Sequence, residues 1–177
     1  MLTRDTILEL MHGLNDELAT GGVVGEVLLC GEAIMCLVFQ ARQATKDVDA
    51  VFTPVGAIRD AARTVARRHG APEDWLNDAA KAFFSGRPPQ QQVLDLPNLR
   101  VWAPTPEYML AMKCVAARFD SLDRQDVAFL IRLLDLRATD EALDIVARFY
   151  PRRLVPARAQ FLIEELMDGL SGERQAK

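Results

Sequence analysis

Two acids stand two residues apart in Thr45-Lys46-Asp47-Val48-Asp49, and they lead into an apolar run, Ala50-Val51-Phe52, that stops at Pro54. The β-type residues over 47–52 predict a strand. Side chains alternate along a strand, so Asp47 and Asp49 would share one face, with Cα atoms roughly 6–7 Å apart. Carboxylates at that spacing can converge on a hard cation. Mg2+ takes one or two protein carboxylates and completes its shell with water and phosphate oxygens, and two-metal sites hold their ions about 3.5–4 Å apart. The chemistry that suits such a pair is metal-assisted transfer at phosphorus. A bare D-x-D is common by chance, however, and solvated acids at a sheet edge would read the same way. The elements around the pair therefore carry the argument.

Upstream, Ile7, Leu8, Leu10, Met11, Leu14 and Leu18 keep a helical period that begins after Thr3, a candidate N-cap, and stops at Gly21-Gly22. Val27-Leu28-Leu29-Cys30 is a short apolar run ending at Gly31, which predicts a strand buried on both faces. Residues 33–39 predict a helix packed on the sheet. A strand, a glycine turn and a helix thus precede the acids. After them, 55–70 predicts a helix with Gly70 as its C-cap, and 74–84 a second helical stretch closed by the loop 85–89. Residues 92–96 and 99–102 predict a hairpin around Pro97-Asn98. Helices are predicted at 106–119, 123–136, 140–149 and 156–169. The order is a βα-rich first half and a helical second half, an α+β class with a mixed sheet and a helical C-terminal lobe. The division falls at 1–103 and 104–177, the lobe packing on the core as one continuous domain.

A second group of ionisable residues lies in that lobe. Lys113 shares a helix face with Met109, Leu110, Ala116 and Ala117, and Asp126 lies in line with Leu130 and Leu133 or Leu134. Charges in apolar stripes are costly to bury unless paired. Lys113 and Asp126, with Asp123 beside Asp126, would meet phosphate at the mouth of the sheet, or form a structural pair tying two helices together. Asp95 stands just before Pro97-Asn98, a place that suits a turn residue.

The run Leu28-Leu29-Cys30-Gly31-Glu32 followed by Asp47-Val48-Asp49 resembles the nucleotidyltransferase superfamily of the DNA polymerase β type. That pattern is an apolar strand ending in Gly-Ser or Gly-Gly, a helix, and an Asp-x-Asp strand. The likeness is closest to small bacterial members, the minimal nucleotidyltransferases and the abortive-infection nucleotidyltransferases of type IV toxin–antitoxin systems. Lys113, Arg118, Asp123 and Asp126 are similar to the K…R…D-x-x-D pattern of the latter, and Asp74-Trp75-Leu76-Asn77-Asp78 looks like a segment of one branch. The likeness covers about residues 25 to 135.

It implies a nucleotidyltransferase-type sheet, one or two Mg2+ ions on Asp47 and Asp49, with Asp95 as the one candidate for a third metal-binding carboxylate, and a nucleoside triphosphate near Gly31, Glu32, Thr45 and Lys113, with Asp126 orienting Lys113. A nucleoside monophosphate would pass to a protein, RNA or small-molecule hydroxyl. The chain departs from the pattern at Glu32, where a carboxylate repels phosphate unless it turns away or meets a cation. That departure also leaves open a non-catalytic member of the fold, a binding or regulatory partner in a toxin–antitoxin or phage-defence setting.

Composition sets bounds on these readings. The 177 residues are half apolar and carry 21 basic and 25 acidic side chains, net −4, which excludes disorder and a non-specific nucleic-acid coat. Three cysteines form no disulfide or zinc pattern, and no leader-like or spanning run occurs, so a soluble cytoplasmic protein with no membrane partner is expected. Arg59, Arg63 and Arg67 line one helix, and Arg148, Arg152, Arg153 and Arg158 cluster further on; either group could meet RNA or phosphate, and a solvated helix face is the commoner explanation. Trp75, Phe83, Phe84 and Trp102 are candidate core anchors. No P-loop, G-x-G-x-x-G or nucleophile elbow is present.

Overall fold

Thr3 starts the first helix as its sequence predicts, its hydroxyl accepting the Thr6 N–H at 3.2 Å. The computed structural model describes residues 1–78, 88–116, 121–151, 153 and 155–175. They belong to two compact units, Met1–Pro104 and Thr105–Lys177.

In the first unit the order is β1 (Leu2–Thr3), α1 (Arg4–Thr20), β2 (Gly25–Leu29), α2 (Gly31–Leu37), β3 (Ala44–Thr45), β4 (Val48–Thr53), α3 (Val55–His69), β5 (Leu76–Asn77), β6 (Gln90–Leu96) and β7 (Leu99–Pro104). The main sheet is mixed, in the order β5-β4-β2-β7-β6. Strand β2 runs antiparallel to β4 and parallel to β7, and β5 runs parallel to β4. The predicted hairpin is β6–β7, closing at Leu96 opposite Leu99 across Pro97-Asn98.

Val27, Leu29, Val48, Ala50, Phe52, Leu99, Val101 and Ala103 are buried. By strand alternation they form one sheet face, where α1 and α3 pack. Each large aliphatic side chain so removed from water contributes about 1.5–3 kcal/mol. The buried stripe of α1 is Ile7, Leu10, Met11, Leu14 and Leu18, and Gly70 ends α3 in the left-handed region at φ 65°.

Two expectations need correction. Strand β2 is not buried on both faces: Glu26 and Leu28 are only half-buried, and Glu26 meets Arg100 at 3.7 Å, an exposed ion pair suited to a solvated face. Residues 75–77 are not helical. Trp75 is fully buried, its Nε1–H donating to Ala62 O at 3.0 Å, and its carbonyl accepts the Val48 N–H at 2.6 Å. That anchorage turns the chain into an edge strand against β4, so tertiary pairing overrides local helical spacing. Residues 79–84 of that stretch, Phe83 and Phe84 among them, and the loop start at 85–87 lie outside the described residues. The small β1–β3 pairing, Leu2 opposite Thr45, was not predicted.

The second unit contains α4 (Pro106–Ala116), α5 (Ser121–Leu133), α6 (Thr139–Phe149) and α7 (Ala157–Gln175). Helix α4 packs against the other three. Met109, Leu110, Cys114, Val127, Leu130, Ile131, Val146 and Ile163 are buried, and the Tyr108 ring meets Phe149 edge-on at 5.2 Å. Among the described residues no helix is long and apolar enough to cross a membrane.

Candidate functional site

Asp49 sits where β4 passes the β2–α2 turn. Ala50 pairs with Leu29, and the next backbone group, the Cys30 N–H, donates to Asp49 O at 2.8 Å. The turn itself is Gly31, in the left-handed region at φ 59°. A Cβ added there would stand 3.1 Å from Asp49 Oδ2, so the carboxylate lies close over the glycine backbone. Backbone conformation and close approach both favour glycine at this position. On the other side of β4, Asn77 pairs with Asp49 in parallel strand register, which sets its side-chain amide beside the Asp49 carboxylate.

Asp47 lies one residue before β4. Its carbonyl accepts the Thr45 hydroxyl at 3.1 Å, which fixes the turn into the strand. Asp47 and Asp49 are both half-buried, whereas Val48 between them is fully buried. Burial raises the Asp49 pKa above the ordinary aspartate value, the negative charge of Asp47 raises it further, the Asn77 hydrogen bond opposes the shift, and Glu32 adds to it. A site that disfavours its own carboxylate charge is one that a cation would relieve.

Glu32 follows Gly31 in α2 and forms an ion pair with Arg42 at 3.1 Å. The Arg42 side chain is only 14% exposed, so the carboxylate has a well-shielded cationic partner. The electrostatic objection to Glu32 near an anionic substrate is thereby reduced. Thr45, implied at the nucleotide by the resemblance, is 1% exposed within the β1–β3 pairing, and its hydroxyl holds the Asp47 backbone. Its place in the structure is a support for the acid pair.

Asp95 does not join the pair. It stands opposite Arg100, which stands opposite Glu26, which stands opposite Thr53. This register puts Asp95 on the acid-bearing face, but three strands away from β4, roughly 14 Å at the usual spacing, and toward the opposite end of the sheet. It is 68% exposed and pairs with Arg100 at 3.9 Å. Asp95 is thus a residue of strand β6 rather than of the turn at 97–98, and its carboxylate lies away from the acid pair.

In the helical unit, Lys113 of α4 reaches two acids of α5. Its ammonium lies 2.8 Å from Asp126 Oδ2 and 3.0 Å from Asp123 Oδ1. The Asp126 side chain is 3% exposed and that of Lys113 11%. Burial alone would lower the lysine pKa, but hydrogen bonds and charges from Asp126 and Asp123 outweigh it and raise the value. Lys113 is therefore a fixed ammonium at neutral pH. Arg118 lies outside the described residues.

The arginine line of α3 reads as a surface: Arg59 meets Asp78 at 3.1 Å and Arg63 meets Asp60 at 3.9 Å, all four at least partly exposed. In the later basic group, Arg152 lies outside the described residues. Two residues carry no signal of their own in the sequence: Asn77, beside Asp49, stands there only within Asp74-Trp75-Leu76-Asn77-Asp78, and Arg42 is the partner of Glu32. Their roles depend on strand register and loop path, which neither residue type nor spacing reveals.

The donor set suits Mg2+. It offers hard carboxylate oxygens from two residues and a negative field centred on Asp49. Among the described residues no group of three or more His, Cys, Asp and Glu forms a cage, and Mg2+ held partly by substrate phosphate requires none. No family model, curated protein or solved structure matches the chain.

Proposed function

We propose that the protein is a nucleotidyltransferase of the DNA polymerase β type. An acceptor hydroxyl attacks the α-phosphorus of a nucleoside triphosphate, the new bond joins the acceptor oxygen to the nucleoside monophosphate, and pyrophosphate leaves. The observation that carries this reading is the Asp49 carboxylate lying over the Gly31 turn, with Asp47 two residues before it. Asp47 and Asp49 would hold the metal. When bound, Mg2+ neutralises phosphoryl charge and lowers the acceptor pKa. Gly31 lets the chain turn tightly beneath the Asp49 carboxylate, and the Arg42 ion pair draws on the Glu32 charge. Lys113 with Asp126 is this chain's counterpart of the downstream lysine and acid that the resemblance implies. Catalysis of this kind is mainly positioning and electrostatics, with no covalent nucleophile.

Glu32 favours a second reading, a catalytically degenerate member of the fold that binds nucleotide or a partner without transfer. Label transfer separates the two. The full chain is incubated with Mg2+, total RNA or cell protein, and nucleoside triphosphate labelled at either the α- or the γ-phosphate. Transfer from the α-label alone, lost in Asp47→Ala/Asp49→Ala, supports the enzyme; nucleotide retention with no transfer supports the second reading.

A further inference from the structure

We propose that Asn77 is the positioning residue of the Asp49 carboxylate, and that the short strand β5 serves to present it. The inference rests on the reading of Asp47 and Asp49 as metal ligands. An ionised carboxylate only accepts hydrogen bonds, and the Asn77 amide NH2, set beside Asp49 by the β4–β5 register, is the group placed to donate to it. Asp49 is thereby bounded on both sides: Asn77 of β5 restrains one flank, and the Gly31 backbone lies close to Oδ2 on the other.

Strand β5 has two residues, too few to contribute much sheet stability of its own. Yet each residue around Asn77 is tied down. Trp75 is fully buried and bonded to α3 through Ala62 O, Leu76 is 6% exposed, and Asp78 meets Arg59 of α3 at 3.1 Å. The Val48 N–H bonds to the Trp75 carbonyl at 2.6 Å, locking β5 to β4 at the register that sets Asn77 opposite Asp49. Outer hydrogen-bond partners of metal-binding carboxylates orient them, and their loss typically costs 10–100-fold in metal affinity or activity.

Mn2+, a paramagnetic probe for hard divalent sites, tests the proposal by electron paramagnetic resonance titration of the full chain. The parent, Asn77→Leu, Asn77→Ala, Asn77→Gln and Asp95→Asn are compared, each with its melting temperature in chelator. Both donor-less variants are expected to weaken Mn2+ binding roughly tenfold or more. Asn77→Gln, which keeps the amide, restores part of the affinity, and Asp95→Asn leaves it unchanged. If the parent binds Mn2+ and a folded Asn77→Leu or Asn77→Ala binds equally well, the positioning role is overturned while the metal site stands. A glutamine variant as weak as the leucine variant also overturns it. If the parent binds no Mn2+, it is the metal reading of Asp47 and Asp49 that fails.

Discussion

Removing Asp126 from its contact with Lys113 is expected to be among the more damaging single changes in the helical unit. Truncating one partner of a buried pair costs about 3–5 kcal/mol, because the other charge is left unmatched. Here Asp123, 3.0 Å from the same ammonium and 22% exposed on its side chain, remains in place. The cost of Asp126→Ala therefore falls at the lower end, about 3 kcal/mol, or roughly 6–12 °C in melting temperature for a chain of this size. A double-mutant cycle with Lys113→Met isolates the coupling, expected at about 2 kcal/mol by urea unfolding followed by circular dichroism. Because its partners raise the Lys113 pKa above the ordinary 10.5, the coupling is fully present below pH 10.5 and is lost as the pH rises through the folded-state value. Additivity of the two single variants within about 0.5 kcal/mol at neutral pH would refute the reasoning.

Three further outcomes are expected. Asp49→Asn removes a charge that burial and Asp47 disfavour, so without divalent metal it raises the melting temperature at neutral pH. This gain vanishes below the ordinary value of 3.8, where the parent carboxyl is protonated in both folded and unfolded chains, and an equal or lower melting temperature at pH 7 contradicts it. Gly31→Ala places a Cβ at a left-handed position and 3.1 Å from Asp49 Oδ2; it should cost about 1–2 kcal/mol in urea unfolding and weaken Mn2+ binding, and an unchanged affinity would separate Gly31 from the acid site. Burial pushes the Cys30 and Cys114 thiols up to about 12, so neither should react with a thiol reagent at pH 8 until the chain is denatured, as mass spectrometry would show.

Much of the fold was legible because periodicity and punctuation agree in this chain. The Thr3 cap, the Gly31 turn, the Pro97-Asn98 hairpin and the Gly70 stop each fall where local conformation demands a particular residue type. Residues 75–77 were misread because a two-residue edge strand has no period, and its conformation is imposed by Trp75 burial and pairing with β4. The acid pair itself was visible as D-x-D, whereas its surroundings were not. The Asn77 contact needs the β5 register, the Arg42 contact needs the path of the loop before β3, and the distance of Asp95 from the pair needs the strand order. The Lys113–Asp126 pair could be anticipated, since a lysine and an acid in neighbouring apolar stripes require partners and each offers the other one.

The most direct measurement is a thermal-shift titration of the full chain with Mg2+ and each nucleoside triphosphate, run in parallel on Asp47→Ala/Asp49→Ala. A nucleoside triphosphate at a hundred times its dissociation constant should stabilise the parent by about 2.7 kcal/mol, several degrees, only when Mg2+ is present, and should leave the double variant unmoved. No shift in the parent with any nucleotide, or an equal shift in the double variant, would contradict the assignment of Asp47 and Asp49 to a metal–nucleotide site.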